Sequence, residues 1–251
     1  MSRLSETTPT PPFNQCDSAR HVAVIGAGPA GLIAADYISA RGIAVTVYEH
    51  MSSPARKFLM AGRGGLNLTH AEPFADFLSR YGADAPWLEP YLSAFGPAEL
   101  QAWADGLGVA TFVGSSGRVF PQGMKASPLL RAWLKRLGTQ AVVLRTGYDW
   151  CGWDGEMLKF TTSGGPVTVK ADACLLALGG ASWPKLGTTG SWAEILRRYG
   201  VGVVPFRPAN CGFLTNWSER FSAYAGEPLK NVGLRIGDLT VRGEAVIASY
   251  G

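Results

Sequence analysis

One short segment near the start of this 251-residue chain limits its fold more than any other feature. Val22–Ile25 is an apolar run, and it is followed by three glycines, Gly26, Gly28 and Gly31, with the spacing G-x-G-x-x-G. A stretch with helical spacing of apolar residues comes next, and a second apolar run then ends at Glu49. This order predicts a β-α-β unit with a tight glycine turn at the start of its helix.

The chemistry of that turn indicates a dinucleotide site. The first glycine permits the tight turn, the second lets the backbone approach a pyrophosphate, and the third lets the helix pack closely on the strand. The start of the helix offers unpaired N–H groups and partial positive charge to phosphates. A carboxylate at the end of the second strand accepts hydrogen bonds from ribose hydroxyls and repels a 2′-phosphate. The predicted nucleotide-binding residues here are Gly26, Ala27, Gly28, Pro29, Ala30, Gly31, Glu49 and the neighbouring His50.

The glycine motif alone does not separate FAD from NAD, but a basic, glycine-rich stretch directly after Glu49 favours FAD. Its backbone donors are placed to continue along a pyrophosphate and ribityl chain. Composition alone is equally compatible with a solvated basic loop. The residues predicted to bind the cofactor in this stretch are Arg56, Lys57, Arg63, Gly64, Gly65 and Asn67.

A later apolar run also favours FAD, because it returns to a glycine turn after a predicted β-meander. Ala173–Leu178 has the continuous apolar pattern of a fully buried parallel strand, which makes Cys174 an inert core thiol. Gly179 and Gly180 follow it and are predicted to bind the cofactor. Tyr148, before the meander, is predicted to lie near the adenine through its backbone, with simple sheet packing as the alternative.

Composition narrows the class of protein. Hydrophobic content of 47% and charged content of 17% indicate an ordinary globular chain. The net charge is +4, but the Lys and Arg residues form no continuous run, which argues against a nucleic-acid partner. The four cysteines share no spacing typical of a metal site, so no metal is predicted. No stretch approaches the ~20 apolar residues of a membrane helix, and residues 1–20, predicted to be a disordered tail, lack a signal peptide. A cytoplasmic protein without a membrane partner is expected.

Four segments resemble one family. They are Val24–Gly31, Ala55–Asn67, Gly117–Ala126 and Ala177–Gly190. The chain resembles the BaiN-like (aminoacetone oxidase-like) FAD-dependent oxidoreductases over roughly residues 20–251. One departure is that many members have Gly-Gly-Arg-Cys-Asn where this chain has Arg63-Gly-Gly-Leu-Asn67, which indicates a subfamily.

The resemblance implies an α/β fold with a Rossmann-type FAD-binding domain, built from a β-α-β unit, a parallel sheet and a β-meander. That domain would span 21–203, and an inserted β-rich domain would begin near Val204 and continue to 251. Family members run further and return to the FAD domain, so the inserted domain is expected to be incomplete here.

The resemblance also implies the chemistry, an FAD-dependent oxidoreductase reduced by NAD(P)H that passes hydride to a small organic acceptor. No spacing ties a side chain to the reactive edge of the flavin, so no catalytic residue is assigned. The alternatives are an oxidase or monooxygenase, a flavin-dependent RNA-modifying protein and a non-catalytic nucleotide-binding module. Neither the substrate nor the oligomeric state is readable from the residues.

Overall fold

The computed structural model of this chain describes residues 20–61, 64–208, 212–214 and 218–249. The predicted tail therefore lies outside the described residues except for Arg20, and so does Arg63. Internal contacts divide the chain into two units, Met1–Val203 and Val204–Gly251. That the second unit begins an inserted domain stays a prediction.

The helices and strands alternate along most of the first unit. Its helices are α1 (Pro29–Ser39), α2 (Arg56–Ala61), α3 (Phe74–Ser79), α4 (Ala85–Ala94), α5 (Pro97–Gly106), α6 (Ala126–Thr139) and α7 (Trp192–Arg198), with 3-10 turns at Gly82–Asp84 and Pro184–Leu186. Its strands are β1 (His21–Ile25), β2 (Ala44–Glu49), β3 (Thr69–His70), β4 (Thr111–Val113), β5 (Arg118–Pro121), β6 (Val143–Thr146), β7 (Asp149–Asp154), β8 (Met157–Thr162), β9 (Gly165–Val169) and β10 (Ala173–Leu176).

A four-stranded parallel sheet forms the centre of the first unit, in the order β10-β1-β2-β6. Val24 of β1 pairs with Val47 of β2 on one side and with Leu175 of β10 on the other. Strand β1 is nearly continuous in apolar residues because both faces of the sheet are covered. The carboxyl ends of β1, β2 and β10 meet at one edge of the sheet, where the glycine turn begins.

Helices cover one face of this sheet and a β-meander covers the other. On the helical face, α6 buries Leu129, Leu130, Trp133 and Leu137, residues whose spacing places them on one side of a helix. The other face packs Tyr48 of β2 against Phe160 of the antiparallel meander β7-β8-β9. The predicted Rossmann-type α/β fold with a parallel sheet and a meander is thus confirmed.

Strand β10 differs from the prediction of a fully buried strand over Ala173–Leu178. It ends at Leu176, and both Ala173 and Cys174 are exposed. The reason is its place at the outer edge of the sheet as described, where fewer elements cover its side chains. Cys174 is therefore not a core residue, although partial desolvation raises the pKa of its thiol to about 11.

Two smaller groups of strands complete the described structure. Strands β3, β5 and β4 form an antiparallel sheet in that order within the first unit. The second unit contains a short helix, α8 (Glu219–Ser222), and an antiparallel hairpin of β11 (Pro228–Ile236) and β12 (Leu239–Val246).

Candidate functional site

The glycine turn after β1 brings three strands together at one point. Gly26 has φ of +105°, and its N–H donates to the carbonyl of Tyr48 at 2.7 Å. A Cβ atom at Gly26 would lie 2.3 Å from the carbonyl oxygen of Ala177, which follows β10. Only a residue without a side chain fits here, because both the backbone conformation and the space exclude one.

The other two glycines of the motif have different roles. A Cβ atom at Gly31 would lie 1.8 Å from the carbonyl oxygen of Gly26, so Gly31 allows α1 to pack onto the turn. A Cβ atom at Gly28 would meet nothing within 4 Å. Gly28 therefore leaves open space in front of the first turn of α1, where Pro29 occupies the start of the helix and the N–H groups lack helical partners.

Glu49 ends β2 beside this turn, with only 7% of its surface exposed. Its Oε2 accepts the N–H of Ala27 at 2.8 Å, and its Oε1 accepts the N–H of Met51 at 3.0 Å. His50 Nδ1 lies 3.0 Å from the same Oε1. An ionised carboxylate has about four acceptor positions, so one position remains for a ligand hydroxyl. Ala27 contributes through its backbone, which orients the carboxylate.

The charges of this pair follow from those contacts. Burial alone would raise the pKa of Glu49, but the hydrogen bonds from His50, Met51 and Ala27 outweigh it and hold the pKa below its ordinary value. The hydrogen bond to Glu49 raises the pKa of His50, against a smaller opposing effect of burial. Glu49 is therefore an anion at neutral pH and is fixed in one orientation.

A cavity of about 900 Å³ opens at this edge of the sheet. Its size falls at the upper end of the ~300–1,000 Å³ typical of small-molecule and cofactor sites. Eleven of the predicted cofactor-binding residues line it: Gly26, Gly28, Pro29, Ala30, Glu49, His50, Arg56, Lys57, Asn67, Tyr148 and Gly179. The structure thus brings together residues from five separate parts of the sequence.

The other predicted site residues that the structure describes do not line the cavity. Ala27 orients Glu49, and Gly31 lets α1 pack on the glycine turn, so both shape the cavity without lining it. Gly180 follows the lining residue Gly179 in the sequence but does not itself line the cavity. Gly65 has φ of +128°, and a Cβ atom there would lie 2.8 Å from Met124 Cε. Gly65 therefore packs against residues in and just after β5, Gly64 also does not line the cavity, and Arg63 is outside the described residues.

The two basic residues of α2 both line the cavity. Lys57 Nζ donates to the hydroxyl of Ser182 at 3.0 Å, which joins α2 to the segment after β10. Arg56 Nε is buried and has no hydrogen-bond partner among the described residues. A buried donor without a partner is destabilising.

Tyr148 lies between β6 and β7, and its ring packs against the sheet. Its ring centroid is 5.4 Å from that of Tyr48 and 5.7 Å from that of Phe160, which is packing against the sheet. Its backbone N–H donates to the carbonyl of Glu49 at 3.0 Å, and the residue lines the cavity beside Glu49. Proximity to an adenine stays a prediction.

Sequence reasoning missed most of the segment after Gly179. The cavity is also lined by Leu186, Gly187, Thr188, Thr189, Gly190, Ser191 and Trp192. Gly187 has φ of +95°, and a Cβ atom there would lie 2.6 Å from His50 Nε2. The signal in the sequence is the glycine- and threonine-rich string Leu-Gly-Thr-Thr-Gly at 186–190, which lies in one of the four segments that carry the family resemblance.

The described residues contain no group of three or more His, Cys, Asp or Glu side chains that could hold a metal ion. Within the same ranges, no helix is both long and apolar enough to cross a membrane. The cavity instead combines a glycine turn, a helix start and a buried carboxylate. These features fit a nucleotide with a pyrophosphate and a free ribose.

Comparison with known proteins agrees with this geometry. The HI0933-like protein Rossmann domain family matches residues 20–243. A 3-dehydro-bile acid delta(4,6)-reductase of Clostridium scindens is 28% identical over 196 residues, covering 75% of this chain and 46% of that protein. A ribosomal RNA dihydrouridine synthase of Haemophilus influenzae is 25% identical over 203 residues, covering 79% and 50%. The chain thus spans about half the length of the curated relatives it matches.

A solved structure shows the same fold. The crystal structure of THI4 from Thermovibrio ammonificans matches with a TM-score of 0.50 and 16% identity, covering 83% of this chain and 71% of that one. At this identity the likeness concerns the fold alone, and it agrees with the Rossmann-type architecture described above.

Proposed function

This chain belongs to the HI0933-like family of FAD-binding Rossmann proteins, and we propose that it binds FAD in the cavity described above and acts as an FAD-dependent oxidoreductase. The observation that carries the proposal is the position of Glu49. Its buried, ionised carboxylate lines the same cavity as Gly28, beside which there is open space, and as the first residues of α1. This combination suits an unphosphorylated ribose joined to a pyrophosphate.

Each part of the cavity has a role in this proposal. The free acceptor position of Glu49 would hold the adenosine ribose, and the N–H groups at the start of α1 would hold the pyrophosphate. Arg56 and Lys57 would add positive charge beside the phosphates or the ribityl chain. FAD, when bound, would supply the two-electron redox chemistry, which no side chain at the site offers.

We further propose that NADH or NADPH is the reductant and a small organic molecule is the acceptor, in a protein of the cytoplasm. The support is a relative named as a reductase, the 3-dehydro-bile acid delta(4,6)-reductase. That name favours reduction of an organic compound over an oxidase or monooxygenase reaction, in which oxygen would be consumed.

A second candidate is a flavin-dependent modification of RNA. Two relatives, from Haemophilus influenzae and Escherichia coli, are named as ribosomal RNA dihydrouridine synthases, and the first of them matches over nearly the same share of this chain as the reductase does. The absence of a basic run in the sequence argues for the small-molecule acceptor. A non-catalytic nucleotide-binding role would require that neither acceptor be reduced.

An anaerobic reduction assay tests the proposal. Purified protein is mixed with NADH or NADPH, and the visible flavin absorbance is followed before and after addition of either an enone steroid or ribosomal RNA. We expect bleaching by one of the two reductants and recovery of the absorbance with the steroid. Recovery with RNA alone would favour the second candidate. Bleaching by neither reductant would remove the NAD(P)H part of the proposal, and oxygen consumption in air would indicate an oxidase.

A further inference from the structure

His50 contacts two separate segments that line the cavity. Its Nδ1 lies 3.0 Å from Oε1 of Glu49, at the end of β2. Its Nε2 lies beside the backbone of Gly187, in the turn after β10 (Gly179–Gly190), where a Cβ atom at Gly187 would be 2.6 Å from it. His50, Glu49 and Gly187 all line the cavity. The imidazole therefore joins the buried carboxylate to a segment from a distant part of the sequence.

The number of hydrogen bonds that His50 can donate depends on its charge. A neutral imidazole carries one N–H group, whereas the imidazolium carries two. The hydrogen bond to Glu49 and, more weakly, a hydrogen bond to the backbone of Gly187 raise the pKa of His50. A backbone contact that favours the charged ring is one to a carbonyl oxygen. Both neighbours thus accept hydrogen bonds, and only the imidazolium can donate to both at once.

The charged side chains around His50 also favour the protonated ring. The hydrogen bond to Glu49 of β2 is the largest influence on its pKa, and burial of the ring opposes it. The negative charges of Glu49 and of Asp149, at the start of β7, raise the pKa further. The turn after β10 acts on the ring through the uncharged backbone of Gly187.

Loss of the proton would remove one of the two contacts. The carboxylate of Glu49 is the stronger acceptor because it is charged, so the neutral ring would keep its N–H on Nδ1. Nε2 would then present a lone pair to the carbonyl of Gly187, and the two would repel each other. The protonated ring therefore holds the turn after β10 in its position beside the cavity, and the neutral ring does not.

We propose that His50 is a positioning residue whose imidazolium holds the turn after β10 in the form that binds FAD, so that cofactor binding is coupled to the uptake of a proton at His50. This inference rests on the proposed function in taking FAD as the dinucleotide. A cation that lines the cavity also favours the negatively charged pyrophosphate. By linkage, a cofactor that binds the protonated form more tightly must raise the pKa of His50.

NMR titration of the histidine rings tests this coupling without a variant. The pKa of His50 is measured in the flavin-free protein and in the protein saturated with FAD. The other two histidines of the chain give reference signals in the same spectra. We expect FAD to raise the pKa of His50. A pKa of His50 that FAD leaves unchanged or lowers would overturn the inference.

His70 provides a matched control for a variant at His50. Its ring also lies between a carboxylate and a backbone carbonyl, with Nδ1 3.4 Å from Glu72 Oε1 and Nε2 3.0 Å from the carbonyl oxygen of Ser116. It does not line the cavity. His50→Gln and His70→Gln make the same chemical change, because glutamine keeps an amide donor that does not titrate. Thermal unfolding establishes that both variants fold.

The Kd for FAD is measured by titration of the flavin-free proteins from about pH 6 to about pH 9, which spans the ordinary pKa of histidine and higher values. We expect wild type and His70→Gln to bind FAD about twofold to tenfold more weakly at the upper limit, the size of one net hydrogen bond. We expect His50→Gln to show a flat profile. A flat profile in wild type, or a pH dependence that persists in His50→Gln, would overturn the inference.

The same titrations with NAD separate this inference from the proposed function. Binding of NAD but not of FAD, with a pH dependence that His50→Gln removes, would support the coupling and contradict the proposed cofactor. Binding of FAD without a pH dependence due to His50 would do the reverse. Binding of neither dinucleotide at any pH would overturn both.

Discussion

Two glycine-rich turns line the cavity, and they are held in different ways. The first, Gly26–Gly31, follows β1, and the second, Gly179–Gly190, follows β10, the neighbouring strand. The spacing of the first turn depends on its own backbone, because Gly31 packs on the carbonyl of Gly26 within a single β-α unit, and Gly26 in addition contacts Tyr48 and Ala177. The second depends on distant residues, since Gly187 packs on His50 and Ser182 accepts from Lys57.

This difference explains why one turn is readable in sequence and the other is not. When a turn is fixed by steric contacts within one β-α unit, its glycines have a characteristic spacing that can be recognised in the sequence. When a turn is fixed by side chains from distant segments, the residues that contact its glycines are identified only in the folded structure. The first turn also contacts the segment that leads into the second, because Gly26 has no room for a side chain next to the carbonyl of Ala177.

The largest effect is expected from Gly31→Ala. The new methyl group would lie 1.8 Å from a backbone oxygen that cannot move aside, so the free energy of unfolding should fall by about 1–3 kcal/mol or more. Gly28→Ala is the matched control, because its methyl group would meet nothing within 4 Å and should leave stability nearly unchanged while weakening nucleotide binding. Denaturant unfolding of both variants checks this, and equal destabilisation would show that the first turn is not fixed by local sterics.

Glu49→Gln should come next in size, through loss of the cofactor. Removing the charge weakens hydrogen bonds worth about 1.5–3 kcal/mol each, so the Kd for FAD should rise about tenfold to hundredfold. Glu194→Gln is a control for loss of a carboxylate, since Glu194 forms surface ion pairs with Arg197 and Arg198. Titration of the flavin-free proteins with FAD measures both. An unchanged Kd in Glu49→Gln would mean that the carboxylate does not contact the ribose.

A smaller effect is expected from Gly187→Ala in the second turn. The left-handed backbone costs an alanine about 1–2 kcal/mol, and the methyl group would also press on His50 Nε2 and Met51 Cγ. Gly200→Ala carries the same kind of backbone strain at φ of +77°, with nothing within 4 Å. We expect Gly187→Ala to be the less stable of the two in thermal unfolding, and His50→Ala to relieve part of the difference. No relief would show that the second turn does not depend on His50.

The smallest effect is the pH dependence of the Glu49–His50 pair. The pKa of His50 is raised, so its contribution to stability is complete below its unfolded pKa of about 6.5 and is lost as pH rises through the higher folded value. The pKa of Glu49 is lowered, so its contribution is complete above about pH 4.3 and is lost on acidification.

The pair should therefore stabilise most between those two values. The difference in free energy of unfolding between wild type and His50→Gln should be largest between about pH 4.5 and 6.5, at a few tenths to ~1 kcal/mol, because the pair is partly exposed. Thermal unfolding across pH measures it. A difference that grows above pH 7 would have the wrong sign for this pair.

The sequence predicted the parts of the site whose geometry is local. The β-α-β unit, the meander and the place of Glu49 at the end of β2 follow from periodicity and from the motif, and the structure has all three. Gly64 and Gly65 were placed in the site because a glycine-rich basic loop resembles a set of phosphate donors. Gly65 packs near Met124, a residue far along the chain, and neither glycine lines the cavity, so their part in cofactor binding stays a prediction.

The exposure of β10 and the hydrogen bond of Trp103 could not be predicted for the same reason. The pattern of apolar residues predicts that a segment forms a strand, but it does not predict the position of that strand in the sheet. Strand β10 is an outer strand, and its Cys174 is exposed. Trp103 and Trp133 have the spacing of ordinary core residues in their helices. Only the packing of α5 against α6 shows that one indole N–H is used by Asp36 and the other has no acceptor among the described residues.

The measurement that tests the central proposal most directly is the identity of the nucleotide that the purified protein retains. The protein is denatured, the released small molecules are identified by mass spectrometry, and the amount of each is compared with the amount of chain. We expect FAD, with Glu49→Gln releasing less of it than Glu194→Gln. Recovery of stoichiometric NAD with no flavin would contradict the proposal, because the glycine turn and Glu49 would then serve a different dinucleotide.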